Sequence, residues 1–223
     1  MGNQITKTGY TLAQEEGSNL PHRQIMNFVG TGVTATDAGG KTIVTIPGTP
    51  IVNSYGLFAQ TADSIPVVNT AVETTIIGAG VGSLTVPANG FSIGDSFACA
   101  LDGILSCGSS ATLHIRVKTL TGVLLADTAI IDMSAATAKP WLINLYFTIR
   151  TLGAPTVASI SSGGLFSYIR NGGTQFEGYV LSTINNTTFN TTINNTLVIT
   201  AQWDPASTGN SIVTRNFTLT KIY

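Results

Sequence analysis

Leu113-His114-Ile115-Arg116-Val117-Lys118 alternates apolar and basic residues with a period of two. In an extended chain successive side chains point to opposite faces, so this spacing predicts a strand with Leu113, Ile115 and Val117 in a core and the basic residues outside. The segments 141–150, 165–170, 176–182, 197–203 and 212–223 carry the β-branched and aromatic enrichment expected of further strands. Turn signals fall between them: Asp102-Gly103, Thr121-Gly122, Gly153-Ala154-Pro155, Asn171-Gly172-Gly173 and Asp204-Pro205. The stretch 124–138 only partly fits a helical period and is read as strand plus loop. The fold class is therefore all-β, with the spacing of a sandwich or barrel.

Charge is scarce. Only 9% of the 223 residues are charged, against about 25% in an average globular chain. A folded monomer of 23.2 kDa should expose roughly 9,700 Å². That leaves about one charge per ~460 Å², where ordinary composition gives one per ~170 Å². Such a surface is covered by Thr, Ser, Asn and Gly, hidden against other subunits, or both. With a net charge of −1, no basic footprint points to nucleic acid.

Residues 1–17 lack the basic-then-apolar run of a secretory signal, and Gly78, Gly80, Gly82, Pro87 and Asn89 interrupt the uncharged stretch 74–94, so no membrane span is expected. Met1-Gly2-Asn3-Gln4-Ile5-Thr6 fits the short, common N-myristoylation pattern. A boundary is expected at Pro47-Gly48-Thr49-Pro50, dividing an N-terminal segment, residues 1–50, from a main domain, residues 51–223. Residues 25–46 read as short strands joined by glycines, with little core of their own.

Residues that could carry chemistry are few. His22 and His114 lie at neither ligand nor triad spacing, and no metal or cofactor is expected. Asp95, Asp102, Asp127 and Asp132 form no calcium-loop pattern. Gly78-Ala79-Gly80-Val81-Gly82 leads into Leu84-Thr85-Val86-Pro87 instead of a helix, so it reads as a flexible β–β connection and not as a phosphate loop. Cys99 and Cys107 bracket Asp102-Gly103. A hairpin there would put the two on opposite faces, predicting free, buried or half-buried thiols. His114, Arg116 and Lys118 form a row that could bind phosphate or an acidic sugar, or simply be a solvated strand face.

Between residues 181 and 200 the chain is uncharged and rich in Asn and Thr. Asn185, Asn186, Asn190 and Asn194 are candidates for a sugar-facing or subunit-facing surface, since amides lose their water at lower cost than charges. The plainer reading is two strands with polar outer faces and a Thr/Asn loop.

Leu20-Pro21-His22-Arg23-Gln24-Ile25-Met26-Asn27-Phe28-Val29-Gly30-Thr31-Gly32-Val33-Thr34-Ala35-Thr36-Asp37 resembles a motif recurrent near the start of bacteriophage tail-fibre and other virion structural proteins. The remainder is similar to the jelly-roll heads of viral fibres and spikes, of the tumour-necrosis-factor and complement C1q type. The matching stretches are Pro87-Ala88-Asn89-Gly90 to Gly94-Asp95-Ser96-Phe97, Phe147-Thr148-Ile149-Arg150 and Phe217-Thr218-Leu219-Thr220-Lys221-Ile222-Tyr223. The resemblance implies a jelly-roll β-sandwich with a short N-terminal β extension, in a non-enzymatic virion protein. It implies a homotrimer anchored to other virion proteins through its N-terminal segment, in contact with a host glycan. Capsid shell, cement or vertex protein, tailspike polysaccharide-degrading enzyme and lectin are the alternatives.

Overall fold

The computed structural model describes residues 14–15, 18–19, 34–38, 41–45 and 56–223 except 174. The chain divides into two compact units, Met1–Asn53 and Ser54–Tyr223. In the first, β1 (Gln14–Glu15) pairs antiparallel with β2 (Ser18–Asn19), and β3 (Thr34–Ala38) with β4 (Lys41–Thr45). The rest of the stretch 20–37 lies outside the described residues, as do Met1 to Thr6.

The second unit is a two-sheet antiparallel sandwich without a helix among the described residues. Its strands are β5 (Gly56–Gln60), β6 (Val67–Val68), β7 (Thr74–Thr75), β8 (Gly80–Gly82), β9 (Thr85–Val86), β10 (Ser96–Cys107), β11 (Thr112–Thr119), β12 (Leu124–Asp132), β13 (Ala136–Thr151), β14 (Ser159–Ile169), β15 (Phe176–Asn185), β16 (Asn195–Asp204) and β17 (Ser211–Lys221). The larger sheet has the order β15-β14-β13-β10-β17-β5-β8, with β6 also on β17; the smaller has β12-β11-β16-β7, with β9 also on β16. From β10 onward the chain changes sheet between β10 and β11, β12 and β13, β15 and β16, and β16 and β17.

The alternation in β11 becomes the inner face of the smaller sheet. Leu113, Ile115 and Val117 are fully buried, each such side chain contributing about 1.5–3 kcal/mol. Opposite them the larger sheet supplies Leu101, Leu105, Trp141, Ile143, Leu145 and Phe166. Both buried indoles donate to carbonyls, Trp141 to Val213 O and Trp203 to Val67 O, each at 3.2 Å, so neither N–H is stranded.

Asp102-Gly103 is not a hairpin. β10 runs straight through it, paired with β13 on one side and β17 on the other. A two-residue turn signal is local, whereas this segment gains a full ladder on both edges. Gly103 has a different purpose. The register slips there, Asp102 opposing Asn216 and Gly103 opposing Thr214, so Arg215 is the extra residue of a bulge. A Cβ on Gly103 would lie 1.9 Å from Val213 O, the carbonyl that receives the Trp141 N–H. Cys99 and Cys107 consequently share the inner face, both free and buried, and too far along one strand to bond. The glycine run also departs from a plain connection, because Gly80–Gly82 is itself an edge strand against β5.

Candidate interaction surfaces

The outer face of the smaller sheet holds the basic row, and the row is already occupied. Asp127 on the neighbouring β12 lies 3.0 Å from His114 Nε2. Glu73, just before β7, lies 2.6 Å from Lys118 Nζ and 3.4 Å from Arg116 Nη1. Arg116 also donates to Gln202 Oε1 at 2.8 Å, and Thr200 Oγ1 to Glu73 at 2.5 Å. Burial alone would raise the Glu73 pKa, but the Lys118 and Thr200 hydrogen bonds with the Lys118 and Arg116 charges hold it below its ordinary value. This is a neutralised, half-exposed ion-pair network and offers no uncompensated cation to a phosphate.

The amides of the Asn-rich segment are likewise mostly engaged by the fold itself. Asn185 is buried, which removes it from the surface residues predicted from sequence. Its Oδ1 accepts from the backbone N–H groups of Thr187, Thr188 and Phe189 at 3.0–3.2 Å, and its Nδ2 donates to Leu124 O at 2.8 Å. Asn190 Oδ1 accepts from Thr192 N, and Asn194 Oδ1 from Ala88 N, both at 2.9 Å. Asn186 alone of the four is exposed without a side-chain bond among the described residues. These amides shape a loop because a short polar side chain can replace a missing backbone partner. Beneath them Phe189 enters the core beside Phe91, at the mouth of an apolar cavity of about 60 Å³. Its walls are almost all apolar, and its two polar lining residues, Thr119 and Asn195, bond to neighbouring loop groups.

The larger sheet presents a different outer face. On β13, burial of Ile143, Leu145 and Phe147 turns Leu142, Asn144, Tyr146 and Thr148 outward. Across the register Tyr146 neighbours Ala98 and Gly163, while Asn144 neighbours Ala100 and Leu165, which in turn opposes Val180. Thr218 and Thr220 continue these rows on β17. Tyr146 is 55% exposed, Val180 70% and Ile184 56%. From the Ser96–Thr148 row to the Asp102–Leu142 row, Asp102 is the only charge at a paired position on this face among the described residues, with Arg215 exposed in the bulge beside it. In segment 141–150 the outward positions hold Leu142 and Tyr146 beside Asn144 and Thr148, with no charge between residues 141 and 149.

A second cluster joins Ser134 to Tyr168, Arg170 and Glu177, across the β12–β13 connection and the β14–β15 hairpin, a meeting that no short stretch of sequence displays. Glu177 on β15 accepts hydrogen bonds from Tyr168 Oη on β14 and from Ser134 Oγ, the latter at 2.5 Å. Ser134 N donates to Tyr168 Oη at 2.7 Å, and Arg170 Nη1 lies 3.5 Å from the carboxylate. Burial opposes ionisation of Glu177, and these hydrogen bonds with the Arg170 charge overcome it, so its pKa is lowered. Burial, then the Glu177 bond, pushes the Tyr168 hydroxyl up. The arrangement ties β15 to the β12–β13 connection. Compared with known protein families, curated proteins and solved structures, the chain finds no match.

Proposed function

We propose that this is a non-enzymatic structural protein of a virus particle, a fibre- or spike-type head that works as a homotrimer, with residues 1–50 as its attachment segment. The reading takes the second unit as a jelly roll. What supports that is a nested set of pairs: if β6 and β8 are set aside and β7 and β9 count as one broken strand, first pairs with last (β5 and β17), second with seventh (β7/β9 and β16), third with sixth (β10 and β13), and fourth with fifth (β11 and β12). The β14–β15 hairpin is then an addition that widens the larger sheet.

The observation that carries the assembly reading is the inequality of the two outer faces. The smaller sheet puts Glu73, His114, Arg116, Lys118 and Asp127 in solvent, as a free face should. The larger sheet exposes Tyr146, Leu165, Val180 and Ile184 among alanines, glycines and threonines. Contiguous exposed apolar surface of this kind marks an interaction site, and depletion of charge marks an interface core. Three copies would also multiply weak contacts with a host surface.

Native mass by light scattering tests the reading. The expected value is three times 23.2 kDa at micromolar protein; a monomer there overturns the trimer.

A further inference from the structure

We propose that the larger sheet carries a binding site for one sugar ring, in the depression between Asp102 and Phe176. This site deepens the attachment reading and rests on it for its biological partner. It lies beyond the Tyr146 rows, toward the end of the sheet opposite Gly56 and Tyr223.

The depression has a volume of about 250 Å³ and is lined by Asp102, Gly103, Pro140, Leu142, Ser167 and Phe176, above the Trp141 backbone strand. Drug-sized ligands occupy roughly 300–1,000 Å³, so this space suits a single ring. The bulge at Arg215 sets the Asp102 carboxylate at its edge, where Asn216 Nδ2 donates to Oδ1 at 2.9 Å. The other oxygen, Oδ2, has no partner among the described residues. Ser167 lines the same space, and its hydroxyl likewise has no protein partner among the described residues, which leaves it open to a ligand from the depression. Phe176 stands 67% exposed on the rim, and Leu142 and Pro140 complete an apolar wall.

The donor and acceptor set decides the ligand class. A carboxylate oxygen and a serine hydroxyl together match a pair of sugar hydroxyls, which both donate and accept, while the Phe176 ring and the Leu142 and Pro140 wall match the C–H face of a pyranose. A cationic amine would use Asp102 but leave the apolar wall and the Ser167 proton without a partner.

Saturation-transfer NMR on the full chain, with methyl glucoside, galactoside, mannoside and N-acetylglucosaminide each at about 10 mM, tests the site. At least one pyranoside should receive saturation on its ring C–H protons. Asp102→Ala and Phe176→Ala should each weaken that binding about tenfold or more, with melting temperatures unchanged because both side chains are exposed. Transfer from no pyranoside, transfer that survives both substitutions, or transfer confined to methylammonium or lysine overturns the sugar site. Native mass on the same samples separates the two readings: a trimer without sugar binding sinks this site alone, and a monomer that binds sugar sinks the trimer alone.

Discussion

Glu177 shows how one side chain can hold two parts of a sandwich together, and how pH should release it. Its carboxylate is stabilised by donors from Ser134 and Tyr168 and by Arg170, so its folded pKa lies below the ordinary 4.5. A depressed carboxylate contributes stability that is present above the unfolded pKa and lost as pH falls through the folded one. Thermal melts from about pH 6 down to about pH 3 should therefore fall less steeply in Glu177→Gln than in the parent. At pH 7 the same substitution should cost on the order of 1 kcal/mol, modest because the group is partly solvated. Equal slopes would show that Glu177 does not titrate as the geometry requires. Burial pushes the Cys107 thiol up to about 11, and Cys99 higher still. Neither should react with a thiol reagent at pH 7 until the protein unfolds, so rapid native labelling counted by mass would contradict the packing.

The loop after strand β15 is built on Asn185. Its six hydrogen bonds to Leu124, Thr187, Thr188 and Phe189 include two with the Thr188 hydroxyl, and its backbone donors lose their acceptor together if the amide is removed. Asn185→Ala should lower stability by about 2–3 kcal/mol, measured by urea unfolding, whereas Asn186→Ala, on an exposed neighbour, should stay within about 0.5 kcal/mol. Comparable losses would mean that the loop is not built on Asn185. The strands at 112–119, 141–150, 197–203 and 212–221 were legible from alternation and enrichment alone, since burial of one face imposes a period of two. The role of Asn185 was not, because Asn-Asn-Thr reads alike whether its amide faces water or Leu124 O. Asp102-Gly103 misled for a related reason: a hairpin and a bulge both ask for glycine, and only the strands alongside choose between them.

For the molecule as a whole, the shortage of charge has a place as well as a value. The smaller sheet's outer face carries a charged cluster, while between its Ser96–Thr148 and Ala100–Asn144 rows the larger sheet keeps a neutral outer face, with Asp102 and Arg215 beyond it. On the trimer reading, Tyr146→Glu should shift the native mass toward the monomer, because an unpaired carboxylate would be buried at the contact. Lys118→Glu, on the opposite face, should leave the mass unchanged. If Tyr146→Glu remains trimeric, the subunit contact lies elsewhere. Composition, turn chemistry and two-residue periodicity were enough to establish an all-β chain with too few charges for an ordinary surface, because these are local or summed properties. Which neutral residues share a face, that the basic row is spent on Glu73 and Asp127, and that Asp102, Ser167 and Phe176 surround one hollow depended on strand order and register. Strand pairing brings together residues as far apart as Thr119 and Leu197 in β11–β16 and Phe97 and Lys221 in β10–β17, and register is set by long-range packing that no short stretch of sequence contains.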